Sequence, residues 1–265
     1  MNTLVIGGTG TTGSRLAALL PGARVATRKP VLPDHVRFDW DVPATFDAAL
    51  DGIDRLYLIP PVGVVDPVPV VEPLLARARL VRRVVLLSSS AVPESATGMG
   101  ALPALVRTLP EWAVLRPSWF MQNFTGDHPL AAGVRAGEIV TATGAGRVGF
   151  VDAGDIAAVA ARALTDAVPH NTDHVITGPE ALSYADAAAI ITEVTGKPVR
   201  HRSISTAEMA ERIAEVLPRD FAALLAGLDE DIREGAEDRV TTTVQDVTGR
   251  PATSFRDFMR RASTA

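Results

Sequence analysis

The sequence predicts an α/β protein built on a Rossmann-type, doubly wound parallel sheet, with a small C-terminal lobe. The chain opens on a short apolar strand that runs straight into a glycine-rich segment and a helix. Short, continuous apolar runs then alternate with helical segments through the first half. Apolar strands separated by helices are typical of a parallel sheet that is covered on both faces.

The opening segment combines a strand at 2–6, glycines at positions 7, 10 and 13, and a helix from 14 to 20. Glycine lacks a Cβ, so the backbone can turn sharply and approach a phosphate, whose charge the helix N-terminus attracts. The spacing is G-x-x-G-x-x-G rather than G-x-G-x-x-G, and a tight turn without a ligand is the alternative interpretation. Strand, glycine turn and helix in this order favour a dinucleotide site.

The remaining elements of the first half follow in alternation. We expect strands at 24–27, 36–39, 55–59, 84–87 and 112–115, with helices at 44–50, 72–80 and 102–109. Ligands of such sheets bind at the carboxyl ends of the strands. The segments that follow the strands are therefore expected to converge on one crevice.

The second half is less regular. We expect strands at 139–143 and 174–177 and helices at 155–164, 183–194, 206–216 and 221–235, with Ser183 as an N-cap and Gly196 as a helix end. The predicted organisation is a core over 1–125, completed by part of 139–178. The lobe over 126–265 is interleaved with that core.

Composition excludes several classes of function. The 265 residues carry a net charge of −5, which argues against a broad basic surface for nucleic acid. There is no cysteine, which excludes disulfides, a thiol nucleophile and a cysteine metal site, and we expect no bound metal. No apolar run approaches the roughly 18 residues of a membrane span, and none resembles a signal peptide. A cytoplasmic protein without a membrane partner is expected.

Several segments resemble the NmrA-like group of atypical short-chain dehydrogenases/reductases, in the branch that includes the agroclavine and festuclavine dehydrogenases. The matching segments are Gly-Gly-Thr-Gly-Thr-Thr-Gly (7–13), Leu-Ile-Pro-Pro (58–61), Val-Leu-Leu-Ser (85–88), Leu-Arg-Pro-Ser-Trp-Phe-Met-Gln-Asn-Phe (115–124), Gly-Phe-Val-Asp (149–152) with Asp-Ile-Ala (155–157), and Thr-Gly-Pro-Glu-Ala-Leu (177–182). The resemblance implies a Rossmann core with a substrate-binding lobe and an oxidoreductase of specialised metabolism, without fixing the substrate.

The residues after the second strand indicate which dinucleotide is bound. NAD sites place a carboxylate there for the ribose 2′-hydroxyl, whereas this chain has Arg28 and Lys29, about 20 residues past the first glycine. Two cations favour the 2′-phosphate of NADP(H), and a solvated basic pair is the alternative. The expected cofactor-binding residues are Gly7, Thr9, Gly10, Thr11, Thr12, Gly13, Arg28, Lys29, Asp39, Ile59, Pro60, Pro61, Ser88 and Ser89.

Asp39 and the segment 59–61 are assigned to the cofactor site for different reasons. In the resembled family the position of Asp39 lies near the adenine, and a carboxylate leading into the next helix is an equal alternative. Ile59, Pro60 and Pro61 have no donor side chain, so they would form an apolar wall.

The catalytic Tyr-x-x-x-Lys pair of most short-chain dehydrogenases is missing. The only tyrosines are Tyr57 and Tyr184, the only lysines are Lys29 and Lys197, and neither tyrosine has a lysine four residues later. One explanation is a reductase whose acceptor is already electrophilic, such as an iminium, enone or quinone. The other is a non-catalytic NADP(H) sensor. If a proton donor is needed, Ser88 and His128 are weak candidates.

The substrate side is predicted from an apolar segment. Trp119, Met121 and Asn123, with Phe150, are expected to line a pocket for a flat, apolar, polycyclic molecule. Plain core packing is the alternative, above all for Phe120 or Phe124. The oligomeric state is left open.

Overall fold

The computed structural model describes residues 2–264. Its strands are β1 (Thr3–Ile6), β2 (Arg24–Thr27), β3 (His35–Arg37), β4 (Arg55–Leu58), β5 (Arg83–Leu87), β6 (Glu111–Pro117), β7 (Glu138–Thr141), β8 (Arg147–Val148), β9 (Thr172–Ile176), β10 (Leu182–Ser183) and β11 (Arg200–Ser203). Its helices are α1 (Thr11–Leu19), α2 (Phe46–Leu50), α3 (Val68–Arg77), α4 (Leu102–Val106), α5 (Pro129–Ala136), α6 (Ala153–Thr165), α7 (Tyr184–Thr195), α8 (Thr206–Ala214), α9 (Arg219–Arg233), α10 (Thr243–Thr248) and α11 (Phe255–Thr264). None of these helices is long and apolar enough to cross a membrane.

The described chain divides into two compact units. Unit 1 contains the residues up to Pro117 together with Ala153–Ile176 and Thr243–Gly249. Unit 2 contains Ser118–Asp152, Thr177–Thr242 and the residues from Arg250 onward. The first boundary falls at the end of β6, rather than at the expected residue 125, because the chain leaves the large sheet there.

Unit 1 is built on a parallel sheet of seven strands in the order β3-β2-β1-β4-β5-β6-β9. Every neighbouring pair in it is parallel. The chain runs outward from β1 to β3 and then resumes at β4 on the other side of β1, so the order reverses between β1 and β4. Ligands of doubly wound sheets bind at the carboxyl edge beside such a reversal.

Alternating side chains cover both faces of this sheet. Leu4, Leu56 and Leu86 lie in one core cluster with residues of α2, α3 and α4. Their neighbours Val5 and Tyr57 are equally buried and point to the other face, as the two-residue repeat of a strand requires. Each such buried side chain stabilises the fold by about 1.5–3 kcal/mol, so both faces contribute to holding the carboxyl edge in shape.

Unit 2 holds two short pairs of strands, β7 with β11 in parallel and β8 with β10 antiparallel. Its main core is an aromatic cluster formed by Phe124, Phe150, Tyr184 and Phe255. The predicted cap of α7 is present: the Ser183 hydroxyl accepts from the Asp186 N–H at 3.1 Å, and the Asp186 carboxylate accepts from the Ser183 N–H at 3.0 Å. Gly196 ends this helix in the left-handed conformation, as expected.

The elements that sequence reasoning missed lie where the usual end signals are absent. Helix α3 begins at Val68 rather than at 72, because the Asp66 carboxylate accepts from the Val68 N–H at 3.2 Å and Pro69 is tolerated in the first turn. Helix α5 is capped by a histidine, His128, which is not a usual cap residue. Helices α10 and α11 lie in the tail after residue 235, where the sequence predicts no helix.

Candidate functional site

The glycine segment (residues 7–13) joins β1 to α1 through one strained position and one close contact. Gly7 has φ of +69°, which residues with a side chain rarely adopt, and its carbonyl oxygen accepts from the Gly10 N–H at 2.9 Å. A Cβ on Gly13 would overlap that same carbonyl oxygen. Glycines 7 and 13 therefore let the helix begin directly against the end of the strand.

The N-terminus of α1 is left open to an anion. Gly10 is its N-cap residue, no side chain caps the helix, and no acidic residue lies in the first turn. The first N–H groups of a helix have no partner inside it and carry partial positive charge. Thr9, Gly10 and Thr11 are exposed beside them. The geometry fits a phosphate group held by backbone donors.

Arg28 and Lys29 follow β2 directly, at the same edge of the sheet. Both are exposed, and within residues 2–264 neither side chain forms a hydrogen bond or ion pair. Other arginines of unit 1 are engaged, as Arg83 is with Glu111 at 2.7 Å. Sequence reasoning missed a further cation, Arg37, which stands opposite Thr27 in the register of β2 and β3. The alternation of sheet faces is the signal that could have found it.

Ile59 packs against the glycine segment, since a Cβ on Gly7 would lie 3.0 Å from its Cδ1 atom. Pro60 is buried and Pro61 is half-buried.

Asp39 takes part in a turn: its carboxylate accepts from the Asp41 N–H, and its own N–H donates to the Thr45 hydroxyl, both at 3.1 Å. Its helix-leading role is therefore visible, and the adenine contact stays a prediction.

Ser88 directly follows β5, and its hydroxyl has no hydrogen-bond partner among residues 2–264. Its N–H donates to the Leu115 carbonyl at 2.8 Å, whereas its Oγ is buried and has no hydrogen-bond partner in the described structure. Buried polar atoms are nearly always paired, so a ligand is a natural partner for this one. Ser89 is engaged locally, with its Oγ accepting from the Ala91 N–H at 3.2 Å. The open helix terminus, the two free cations and this hydroxyl fit a phosphorylated dinucleotide.

Neither tyrosine is prepared to donate a proton. Both are buried, Tyr57 in unit 1 and Tyr184 in unit 2, and burial raises the pKa of each hydroxyl well above its usual value of about 10. His128 caps α5, its Nδ1 accepting from the Leu130 N–H at 3.1 Å. Partial burial lowers the pKa of His128, so the ring is neutral at pH 7 with its proton on Nε2. Its catalytic role stays a prediction.

The predicted pocket lining is divided by the structure of unit 2. Met121 and Phe150 are both only 1% exposed and belong to the core, with the Phe150 ring centroid 5.1 Å from that of Phe124. Their side chains are thus packed in the core of unit 2, and a contact of either with a substrate stays a prediction. Trp119 and Asn123 are half-buried and stay candidates for substrate contact.

The chain is similar over nearly its whole length to several curated proteins. No family model matches it. It is 48% identical over 265 residues to the uncharacterized oxidoreductase YesF of Bacillus subtilis, covering 96% of this chain and 93% of the relative. It is 38% identical over 278 residues to festuclavine synthase II of Penicillium roqueforti (97% and 96%) and 36% identical over 279 residues to agroclavine dehydrogenase of Claviceps fusiformis (98% and 96%).

The chain belongs to the NmrA-like family of atypical short-chain dehydrogenases/reductases. Within it, this NmrA-like protein falls in the branch of the agroclavine and festuclavine dehydrogenases, which confirms the predicted relationship. Its relatives include a named oxidoreductase and named dehydrogenases, and the chain is an oxidoreductase.

Solved structures confirm the fold of this NmrA-like protein. Triphenylmethane reductase of Citrobacter sp., complexed with NADP(H), superposes with a TM-score of 0.79 at 22% identity, covering 99% of this chain and 100% of that one. The quinone oxidoreductase QOR2 of Escherichia coli, complexed with NADPH, gives 0.81 at 22% identity, covering 98% and 99%. Both support the predicted Rossmann-type α/β class.

Proposed function

We propose that this protein is an NADPH-dependent reductase that delivers hydride to an apolar, electrophilic small molecule of the iminium, enone or quinone type. The observation that carries the proposal is the carboxyl edge of unit 1, where the open N-terminus of α1 stands beside two cations that no carboxylate neutralises. Two neighbours in fold support the cofactor, since QOR2 is complexed with NADPH and triphenylmethane reductase with NADP(H), and the name of QOR2 supports a quinone acceptor.

The residues of unit 1 divide the binding of NADP(H) among them. The backbone donors at the start of α1 would hold the pyrophosphate, as glycines 7 and 13 permit close approach. Arg28 and Lys29 would hold the 2′-phosphate, each charge-assisted bond being worth about 1.5–3 kcal/mol. Ile59, Pro60 and Pro61 would form an apolar wall, and the Ser88 hydroxyl would orient the reacting end. When bound, the cofactor supplies the hydride.

The acceptor class follows from what the protein lacks. A ketone needs a proton as hydride arrives, and the two tyrosines are buried with raised pKa values. An iminium carbon already carries positive charge, and conjugated acceptors delocalise the negative charge that they receive. Such acceptors need positioning more than acid catalysis, and positioning alone accounts for several kcal/mol of the barrier. Trp119 and Asn123 would supply an aromatic surface and a polar contact to a flat, polycyclic molecule.

The experiment that tests this proposal is NADPH oxidation by the purified protein with a panel of iminium, enone, quinone and simple ketone acceptors. We expect turnover with at least one electrophilic class and none with ketones. Gly13→Ala is the matched inactive variant, because it alters the glycine segment and leaves every polar side chain in place. Turnover of ketones alone, or equal turnover by this variant, would contradict the proposal.

A further inference from the structure

We propose that Arg37 is a third ligand of the 2′-phosphate and a determinant of the preference for NADPH over NADH. The inference rests on the proposed function and deepens it, because it adds a residue from a different strand to the basic pair Arg28 and Lys29. The observations that carry it are the register of β2 and β3, the face on which Arg37 lies, and the absence of any partner for its guanidinium in residues 2–264.

The register brings the three cations to one place. Arg37 is the last residue of β3 and stands opposite Thr27, the last residue of β2. Pairing continues one step further, since the Phe38 N–H donates to the Thr27 carbonyl at 2.9 Å. Arg28 and Lys29 follow Thr27 at once, and neighbouring strands lie about 4.8 Å apart. A long side chain such as arginine spans that separation.

The face is fixed by the alternation of the strands. Ala26 and Val36 are partners in the register, and both pack into the core cluster of unit 1. Thr27 and Arg37 therefore lie on the opposite face, which is also the face of Val25. A Cβ on Gly8 would lie 2.7 Å from the Val25 Cγ1 atom, so this is the face that contacts the glycine segment. Arg37 projects on the side where the phosphates would lie.

The charge of Arg37 is not used within the protein. Its side chain is exposed and makes no hydrogen bond or ion pair among the described residues. The nearest carboxylate in sequence, Asp39, accepts instead from the Asp41 N–H at 3.1 Å. Most other arginines of unit 1 hold a carboxylate or a carbonyl, as Arg24 holds the Asp51 carbonyl at 2.8 Å. A phosphate monoester carries close to two negative charges at pH 7, which a third cation would neutralise further.

The test measures binding of 2′,5′-ADP and of 5′-AMP by calorimetry, since the two probes differ in the 2′-phosphate alone. We expect Arg37→Gln to weaken 2′,5′-ADP about tenfold and to leave 5′-AMP unchanged. Arg37→Lys should retain part of the affinity. Arg79→Gln is the matched control, because Arg79 is also an exposed arginine without a side-chain partner in the described chain, but it precedes β5 at the amino edge of the sheet.

The outcomes separate this inference from the proposed function. If the wild-type protein binds 2′,5′-ADP no better than 5′-AMP, the preference for NADP(H) is itself wrong, and the role of Arg37 falls with it. If the wild type discriminates and Arg37→Gln discriminates equally well, only the role of Arg37 is overturned. The Tm of each variant is recorded alongside, and Arg37→Lys decides the question should Arg37→Gln fail to fold.

Discussion

The carboxyl edge of the sheet in unit 1 and the aromatic cluster of unit 2 are built from opposite kinds of residue. The first presents free N–H groups, three cations without a partner in the described residues (Arg28, Lys29 and Arg37) and a buried hydroxyl without a partner. The second closes on itself: Phe124 packs edge-on against Phe150 and against Phe255, with ring centroids 5.1 and 4.8 Å apart. One region carries polar groups that a ligand would satisfy, and the other already satisfies its own surfaces.

The difference shows which residues report on function. A buried hydroxyl without a partner costs free energy, and an exposed cation without a partner adds no stability to the fold. Their presence together at one edge of the sheet therefore points to ligand binding. An apolar ring is stabilised equally well by a substrate or by another ring. Core packing and a substrate pocket therefore call for the same amino acids, and only coordinates distinguish them.

The largest effect that would sharpen this contrast is expected at Gly13. Gly13→Ala places a Cβ on the Gly7 carbonyl oxygen, so the helix must move away from the strand. We expect a loss of about 1–3 kcal/mol in stability and loss of measurable NADPH binding. Gly227→Ala in α9, where nothing lies within 4 Å, serves as the control and should leave binding intact. Wild-type affinity in the Gly13 variant would contradict the assigned role of the segment.

Phe150 tests the other region. Phe150→Ala removes a ring that is 1% exposed, so we expect the free energy of unfolding to fall by about 3–5 kcal/mol, as measured by denaturant titration. Trp119→Ala, at a half-buried position, should cost less stability and should raise the KM for the acceptor. A Phe150 variant that keeps its stability but changes its acceptor selectivity would show that Phe150 contacts the substrate.

Arg28 is the direct test of the basic pair. Arg28→Asp replaces a free cation with the carboxylate typical of NAD sites, and we expect the preference for NADPH over NADH to fall by about 10- to 100-fold. The ratio of kcat/KM for the two cofactors measures it. Arg212→Asp, at an exposed arginine of unit 2, is the control for a general change of charge. An unchanged ratio in the Arg28 variant would show that Arg28 and Lys29 are a solvated basic pair that does not bind the 2′-phosphate.

A pH effect is expected in unit 1 at β9. The pKa of His174 is lowered to about 4, because the ring is half-buried and His170 lies beside it. In the unfolded chain the pKa is about 6.5, so between these values the unfolded state binds a proton that the folded state refuses. Stability should be constant above about pH 6.5 and fall as the pH drops toward 4.

The loss from His174 is on the order of 1–2 kcal/mol after allowance for solvent screening. Burial also lowers the pKa values of His128 and His201, so His174→Gln should reduce the pH dependence of Tm without abolishing it. An unchanged pH dependence in this variant would show that folding does not lower the pKa of His174.

Ser88 gives the smallest expected effect and the cleanest separation of stability from binding. Its Oγ makes no hydrogen bond in the described structure, so Ser88→Ala should leave Tm unchanged or slightly raised. If the hydroxyl contacts the cofactor, kcat should fall by about three- to tenfold. Ser90→Ala, two residues later, is the control. A lower Tm with unchanged kcat would assign Ser88 a structural role.

More of the structure of unit 1 than of unit 2 could be predicted from the sequence, and the reasons are physical. Glycine 7 and Arg28 are informative because few other residues tolerate a φ of +69° or hold a phosphate. The parallel sheet also follows from the alternation of short apolar runs with helices. The burial of Phe150 could not be predicted, because it depends on α7 and α11, which lie far away in sequence.

The central claim is that the carboxyl edge of unit 1 binds a dinucleotide that carries a 2′-phosphate. The most direct measurement is a titration of the wild-type protein with NADPH and NADH, followed by nicotinamide fluorescence. The account predicts that NADPH binds at least about tenfold more tightly, as one charge-assisted contact would provide. Equal affinity for the two cofactors would contradict the claim for the basic pair, and absence of binding by either would remove the proposed reductase.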